Sequence, residues 1–184
     1  ANGQEPGDIK VQDVDGNGVI TTDDRIIYSQ RPDVTFGFNN TFNYKGFDLS
    51  VFLYARLGQW IAYDYNTTYR INALENGGNV DYWTPENPTN AFPRPNKSKS
   101  YTQVTYYSTL KYEDGSFFKI RDITLGYTFK PELLKHLNLS KLRVYATAKN
   151  FFTFSKIDNY DPEQGGSISF PMTKQLVFGL NVEF

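Results

Sequence analysis

The chain has 184 residues, of which 17% are aromatic, and its mean hydropathy is −0.53. The formal net charge of −1 gives no basic surface for nucleic acid, and the lack of cysteine excludes disulfide bonds and thiolate chemistry. No apolar run approaches the roughly eighteen residues that a membrane helix needs. Many aromatic residues in a polar sequence are typical of a β-sheet whose two faces meet different surroundings.

An acidic, glycine-rich loop, DVDGNGVITTDD, occupies residues 13–24. Its positions 1, 3, 5, 7 and 12 hold Asp13, Asp15, Asn17, Val19 (through its carbonyl) and Asp24, with Gly18 at position 6. This is the spacing of an EF-hand-like calcium loop, in which hard oxygen ligands converge on one cation. Asp24 stands where a longer glutamate is usual, which weakens the site or favours a smaller ion such as magnesium.

The alternative for this loop is a tight turn, in which Asp and Asn side chains accept hydrogen bonds from backbone amides. A regulatory calcium switch is not expected, because no second, paired loop is present in the sequence. The sequence therefore predicts that residues 1–32 form an extracellular loop that a calcium or magnesium ion braces.

Two strands joined by a tight turn follow. Val34, Phe36, Phe38, Phe42 and Tyr44 share one face of the first strand, and the odd-numbered residues from Phe47 to Leu57 share one face of the second. A strand of about ten residues crosses a bilayer when it is tilted. The intervening Lys45-Gly46 predicts a hairpin. Tyr44 and Phe47 flank this turn, where a membrane barrel places a girdle of aromatic residues.

A long connection rich in Asn, Pro, Ser and aromatic residues occupies residues 59–115. Such a length without regular periodicity is unusual in a compact domain and is typical of an extracellular barrel loop. Trp60 and Trp83 are candidates for stacking on a sugar ring or holding a peptide, and the alternative is that they pack the loop against itself. The sequence WTPENP at 83–88 predicts a rigid turn, because each proline keeps the preceding residue extended.

Two further strands are predicted on either side of a helical turn that begins at Pro131. In residues 117–130, an apolar face is formed by Ile123, Leu125, Tyr127 and Phe129. Lys119 and Arg121 fall in register with that face, which indicates either a β-bulge or a strand end that projects beyond the lipid. Residues 142–152 alternate regularly again.

The last predicted strand is KQLVFGLNVEF at residues 174–184, with an apolar residue on every second position from Leu176 to Phe184. This period predicts a strand with one apolar and one polar face. On an outer-membrane barrel, the apolar face contacts lipid and the polar face lines a wet lumen. The aromatic Phe184 is then the expected assembly signal for the barrel-assembly machinery.

Five strands do not close a barrel, because bacterial single-chain barrels begin at about eight strands. The strands therefore belong either to a soluble sandwich or to a larger barrel. A sandwich needs a second sheet to cover the apolar sides of all five strands, and few residues remain to supply one. The sequence favours an all-β fold in which residues 33–184 are the C-terminal five antiparallel strands of a large transmembrane β-barrel. Its short turns would be periplasmic and its long loops extracellular.

Seven stretches carry a family resemblance, in family order and across nearly the whole chain. They are PGDIKVQDVDGNGVITTDDR (6–25), FGFNNTFNYKGFDLSVFL (36–53), YWTPENPTN (82–90), FFKIRDITLGYTF (117–129), RVYATAKNFFTF (143–154), YDPE (160–163) and FGLNVEF (178–184). Through them the chain resembles the SusC/RagA-like TonB-dependent transporters of the outer membranes of Bacteroidetes.

The resemblance implies a barrel of about 22 strands with a plugged lumen, of which these strands would be the last five. It also implies active import of an oligosaccharide or peptide across the outer membrane, energised through TonB, which contacts an N-terminal region. Further implied partners are a SusD-like surface lipoprotein, the upstream part of the same barrel and outer-membrane lipid.

The polar face of the predicted strands supplies the groups that would meet a ligand in the lumen. It carries Asp48, Tyr54, Arg56, Arg143 and Lys149. Tyr54 and Arg56, with Trp60 and Trp83 from the long connection, are the substrate-binding candidates. The alternative is that the charges on this face pair with the plug or with one another.

Two other classes of function compete with transport. An enzyme is not expected, because the sequence offers no set of nucleophile and base. The other class is a secreted, calcium-stabilised β-domain that binds carbohydrate through the aromatic residues of its loops.

Overall fold

The computed structural model describes residues 5–63, 81–94 and 111–184. Its strands, in chain order, are β1 (Val34–Tyr44), β2 (Phe47–Leu57), β3 (Trp60–Ala62), β4 (Tyr112–Asp114), β5 (Phe117–Thr128), β6 (Lys141–Ser155) and β7 (Gln175–Glu183). The five long strands form one antiparallel sheet in the order β1–β2–β5–β6–β7, and β3 pairs with β4 in a small second sheet. The five long strands predicted from the sequence are confirmed.

The hairpin between β1 and β2 has the two-residue turn that the sequence predicts. Lys45 and Gly46 both have positive φ, at 48° and 89°. Positive φ at both turn residues matches the right-handed twist of the flanking strands, so the ladder runs without interruption from Tyr44–Phe47 to Val34–Leu57. Aromatic rings gather at this end of the sheet, where the Phe47 and Tyr127 rings lie 4.6 Å apart.

A β-bulge in β5 decides which face its charged residues occupy. Phe52 pairs with Asp122, but its neighbour Leu53 pairs with Ile120, so Arg121 is an extra residue relative to β2. One extra residue puts the side chains before it and those after it out of phase, so the alternation counted from Ile123 is reversed for residues before Arg121. Lys119 therefore lies on the polar face, and of the two interpretations of this irregular stretch the bulge is confirmed.

The opposite side of the large sheet, the apolar face, is exposed over a wide area. Its members with relative exposures between 44% and 77% include Phe36, Phe38, Phe42, Tyr44, Phe47, Leu125, Phe154, Leu176, Phe178 and Leu180. A soluble monomer rarely exposes so large a contiguous apolar surface. Something outside the described residues must therefore cover this face.

Buried residues gather instead beside the small sheet. Ile61, Tyr63 and Ile157 form a core cluster, against which Tyr160 packs. This cluster fastens the β6–β7 loop (residues 156–174) to β3, so the loop has a fixed place at the end of the large sheet.

The connections agree with the predictions except for β3 and β4. Pro131 begins a short helix, Pro131–Leu134, and the 83–88 turn is closed by hydrogen bonds between the backbones of Thr84 and Asn87. The sequence predicted no strands in 59–115, because three-residue strands are too short to show a period. The remainder of that connection, 64–80 and 95–110, lies outside the described residues. No helix in the described part of the chain is long and apolar enough to span a membrane.

Candidate functional site on the polar face

Besides the Asp122–Lys149 pair, the polar face of the large sheet carries two groups of charged residues. One group lies near the Lys45-Gly46 turn and contains Asp48 and Arg143. The other lies at the far ends of the strands, beside the β6–β7 loop. We call it the loop-side cluster, and it consists of Tyr54, Arg56, Phe117, Lys119, Arg121, Asp161 and Glu163.

Asp48 and Arg143 form a two-point ion pair across the intervening β5. Arg143 Nε donates to Asp48 Oδ1 at 2.8 Å, and Nη2 donates to Oδ2 at 2.6 Å. The pair passes over Gly126, where a Cβ would lie 2.5 Å from both side chains. The Arg143 guanidinium also stacks 4.9 Å from the ring centre of Tyr145. These charges satisfy one another, as one sequence-based alternative proposed, so they offer little to a ligand.

Lys119 is the centre of the loop-side cluster and is fully buried. Its ammonium donates to both oxygens of Asp161, at 2.9 and 2.7 Å, and to Glu163 at 2.8 Å. A buried ammonium needs such partners, because burying an unpaired charge is costly. Asp161 also accepts a hydrogen bond from the Glu163 backbone N–H at 3.0 Å, so the loop turn and the ion pairs support one another.

Tyr54 and Arg56, two of the substrate-binding candidates, lie together on β2. Arg56 Nε donates to the Tyr54 hydroxyl at 2.8 Å. The guanidiniums of Arg56 and Arg121 lie 5.6 and 5.4 Å from the Tyr54 ring centre. Arg121 pairs with Glu163 at 3.0 Å. Among the described residues, Arg56 has no carboxylate partner.

The two tryptophan candidates lie apart from this pair and from each other. Trp60 packs on Tyr28, with ring centres 4.5 Å apart, and Tyr28 stacks on Tyr112. Trp83 packs against Gly7, whose φ is +89° and where a Cβ would clash with the indole. Both tryptophans hold loop segments together, as the packing alternative expected.

The acidic loop at 13–24 brings the carboxylates of Asp13, Asp15 and Asp24 within 4.8 Å of one another. Asp13 accepts hydrogen bonds from the backbone N–H groups of Gly16 and Gly18, both at 2.7 Å. Asn17 Oδ1 accepts one from the N–H of Val19 at 2.8 Å. The side chains predicted as ligands therefore wrap the loop around its own backbone.

Asp24 closes this loop from its far end. It accepts hydrogen bonds from the N–H groups of Thr21 at 2.6 Å and Val14 at 2.7 Å. These backbone donors, Thr21 first and then Val14, lower the pKa of Asp24 below its ordinary value because they stabilise the carboxylate. Asp24 is therefore ionised at neutral pH, the state that binding a cation requires.

Phe184 follows β7 directly and is 93% exposed, on the same side of the sheet as Phe178 and Leu180. Within the described part of the chain, nothing covers its ring. Its predicted role in assembly stays a prediction.

Comparison with curated proteins gives relatives along nearly the whole chain. TonB-dependent receptors P3 and P26 of Formosa agariphila are each 31% identical to it over 98% of its length. TonB-dependent receptor SusC of Bacteroides thetaiotaomicron is 31% identical over 94%. The chain belongs to the TonB-dependent receptors. It covers 19%, 20% and 17% of these relatives, so it spans about a fifth of their length. No family model matches it.

Solved structures agree with this assignment. The RagAB peptide transporter superposes with a TM-score of 0.67 and 26% identity, over 87% of this chain and 18% of the solved one. The RagAB importer in its closed-closed state gives a TM-score of 0.67 and 27% identity, over 96% of this chain and 21% of the solved one. The sheet of this TonB-dependent receptor segment is therefore part of a β-barrel wall, which confirms the predicted barrel fold and excludes the sandwich, while the number of 22 strands stays a prediction.

Sequence reasoning missed the central residues of the loop-side cluster in this receptor segment. The period put Lys119 in register with the apolar face, which indicated a bulge or a projecting strand end but no partner, and Asp161 and Glu163 lie 42 and 44 residues away from it. The available signal was the broken alternation at Lys119 and Arg121. Two cations out of register imply a bulge and a nearby anionic partner, and the YDPE turn at 160–163 carries two carboxylates.

Proposed function

We propose that this segment forms the C-terminal wall of an outer-membrane barrel that imports oligosaccharides or peptides, energised through TonB. This proposal rests on one observation, a sheet with one exposed apolar face and one polar face whose charges are mostly paired with one another. In a membrane barrel, the first face contacts lipid and the second lines the lumen. The names of the relatives support transport, and RagAB is described as a peptide transporter.

In this proposal, the two ends of the sheet lie on opposite sides of the outer membrane. The aromatic rings at the Lys45-Gly46 turn lie at the periplasmic interface. The acidic loop, the 59–115 connection and the β6–β7 loop lie outside the cell, near a SusD-like surface lipoprotein. The strands β1 and β7 are edges of the sheet, and both pair with other strands of the closed barrel. Phe184 serves the barrel-assembly machinery.

The test is energised uptake by cells that carry the full-length receptor. Fluorescent oligopeptides and oligosaccharides of defined length are offered to wild-type cells, to cells lacking the receptor gene and to wild-type cells treated with a protonophore. Receptor-dependent uptake that the protonophore abolishes supports import through TonB. Equal uptake in cells with and without the receptor, for both classes of probe, would contradict the proposal.

We also propose that the 13–24 loop holds a calcium ion, with magnesium as the weaker alternative. The donor set fits, since carboxylate, amide and backbone carbonyl oxygens are the ligands that calcium prefers. Asp13, Asp15, Asn17 and Asp24 would supply side-chain oxygens, and Val19 its carbonyl. The ion would hold the loop in one conformation outside the barrel, a structural role that requires no change on binding.

A further inference from the structure

The loop-side cluster contains more positive than negative charge. Lys119 and Arg121 share the carboxylates of Asp161 and Glu163, and Arg56 adds a third cation against the same Tyr54 ring. Three cations facing two carboxylates give a formal excess of one positive charge. Elsewhere on the polar face the charges balance, since Asp48 pairs with Arg143 and Asp122 lies 3.8 Å from Lys149.

Among the described residues, one edge of the Arg56 guanidinium, that of its two terminal nitrogens, has no partner. Its Nε is used by the Tyr54 hydroxyl at 2.8 Å, which fixes the orientation of the guanidinium. No hydrogen bond within the described residues engages the two terminal nitrogens. A guanidinium held in this way presents a planar pair of N–H donors, and a carboxylate is the group that matches such a pair.

The position of Arg56 also suits a ligand entering from outside. Arg56 lies one residue before the end of β2 and opposite Phe117, the first residue of β5. These strand ends lie next to the long connection and the β6–β7 loop, which the proposed topology places outside the cell. The aromatic rings of Tyr54 and Phe117 lie 5.8 Å apart beside it, and a charge interaction is stronger next to such apolar groups than in bulk water.

We propose that Arg56, oriented by Tyr54, is a subsite for a carboxylate of the transported ligand, at the extracellular end of the lumen. This rests on the proposed import function and names the chemistry of its ligand. A carboxylate comes from a peptide C-terminus or an acidic side chain, or from a uronic acid in an oligosaccharide. Arg56 is the contacting residue, and Tyr54 is a positioning residue.

The test is binding to the purified full-length receptor in detergent, with two matched pairs of probes. One pair is an N-acetylated pentapeptide of alanine with a free C-terminal carboxylate or a C-terminal amide. The other pair is a galacturonate trisaccharide and its methyl ester. The wild-type receptor should prefer the acid member of at least one pair, and the pair that shows the preference identifies the source of the carboxylate.

The variants assign that preference to Arg56. R56Q should weaken binding of the preferred acid by about tenfold or more and leave the neutral member unchanged, because a charge-assisted contact is lost. R56K should restore part of the preference, since it keeps the charge but not the planar fork. Y54F should give an intermediate loss. K149Q removes the same charge from the same face beside Asp122 and should leave the preference intact.

The possible results distinguish failure of the Arg56 subsite from failure of the import function. Equal affinity of the wild type for acid and neutral probes would overturn it. So would an R56Q receptor that keeps its preference but unfolds at a lower temperature, because Arg56 would then pair with another part of the receptor. Arg56-dependent binding without energised uptake would refute the import function alone.

Discussion

Lys119 donates from a fully buried ammonium to both carboxylate oxygens of Asp161, at 2.9 and 2.7 Å. The contact joins β5 to the β6–β7 loop across 42 residues of sequence. Glu163 adds a second acceptor at 2.8 Å, and the side chains of Asp161 and Glu163 are only 12% and 10% exposed. The loop is therefore held against the polar face by charges that have little contact with water.

Replacing this ammonium should release the loop. K119M leaves two largely buried carboxylates without their shared cation, and removing one member of a buried ion pair costs about 3–5 kcal/mol. We expect earlier unfolding of the full-length receptor in urea and faster protease cleavage within 164–172. K149M is the matched control, because Lys149 is 46% exposed and lies 3.8 Å from Asp122, so its effect should be about 0–1 kcal/mol. Equal effects of the two variants would contradict a special role for Lys119.

The Asp48–Arg143 pair depends on the absence of a side chain at Gly126. A Cβ there would lie 2.5 Å from Arg143 Nη2 and Asp48 Oδ1. G126A should therefore separate the pair and destabilise the barrel by about 1–3 kcal/mol, the usual cost of overpacking. G37A is the control, because within the described chain a Cβ at Gly37 would contact the Phe52 ring alone, at 3.7 Å, an ordinary contact. Unfolding midpoints that fall equally for both variants would show that the loss of glycine, not the clash, is responsible.

The architecture was predictable because the alternation of apolar and polar residues recurs in all five long strands. Each long strand has 9 to 15 residues, so its alternation assigns many side chains to one face together. A single exception such as Asn40 does not obscure that pattern. The Lys45-Gly46 hairpin was predictable for the same reason, since the turn and both strands agree. β3 and β4 were not, because Trp60–Ala62 and Tyr112–Asp114 are too short to show a period and pair across about fifty residues.

The site was less predictable than the fold. Tyr54 and Arg56 could be placed on one face because they are two residues apart on a strand, and the structure confirms that they are in contact. For Lys119 the alternation was less decisive, because the two cations in register with the apolar face indicated a bulge or a projecting strand end but not which residue is inserted or which carboxylates Lys119 contacts. Trp60 and Trp83 could not be assigned either, since packing of Trp60 on Tyr28 depends on contacts distant in sequence.

Removing the ion from the 13–24 loop should make the loop sensitive to protease. In the full-length receptor, EGTA should accelerate cleavage within 13–24, and calcium should restore protection at lower concentration than magnesium, because the loop offers many flexible oxygen ligands. D13A combined with D15A should abolish the calcium effect. D23A is the control, since Asp23 stands outside the ligand positions of the calcium-loop spacing. Protection that is independent of both ions in the wild type would support the hydrogen-bonded turn instead.

The end of the small sheet should respond to acid. The pKa of Asp114 lies below its ordinary value, first because the Ser116 hydroxyl donates to it, and also because the Ser116 N–H does so at 3.0 Å and Lys156 lies 3.0 Å away. Because the folded-state pKa is lowered, the ionised Asp114 carboxylate stabilises the fold fully above the unfolded-state pKa of about 4. This stabilisation is lost as the pH falls through the folded-state pKa. Amide exchange at Ser116, corrected for its intrinsic pH dependence, should lose protection in that acidic window. D114N should remove this pH dependence, and an identical profile in D114N would contradict the assignment.

Adjacent residues of β7 offer the sharpest test of the two faces. Phe178 is 77% exposed on the apolar face, and Val177 is 40% exposed on the polar face. Both are apolar residues near the middle of one strand, so the two substitutions differ only in the face that receives the charge. If the apolar face contacts lipid, F178K places a charge in hydrocarbon at a cost of about 2–4 kcal/mol near the bilayer centre.

V177K places the same charge toward the lumen, where water and polar groups solvate it, so its cost should be small. Outer-membrane levels of the full-length receptor and its unfolding in urea should therefore fall for F178K and stay close to wild type for V177K. Similar losses in both variants would mean that both faces are buried by protein. A normal level and stability of F178K would mean that this face meets water. Either result would place the apolar face away from lipid, because only hydrocarbon on one side and a wet lumen on the other separates two neighbouring lysines in this way.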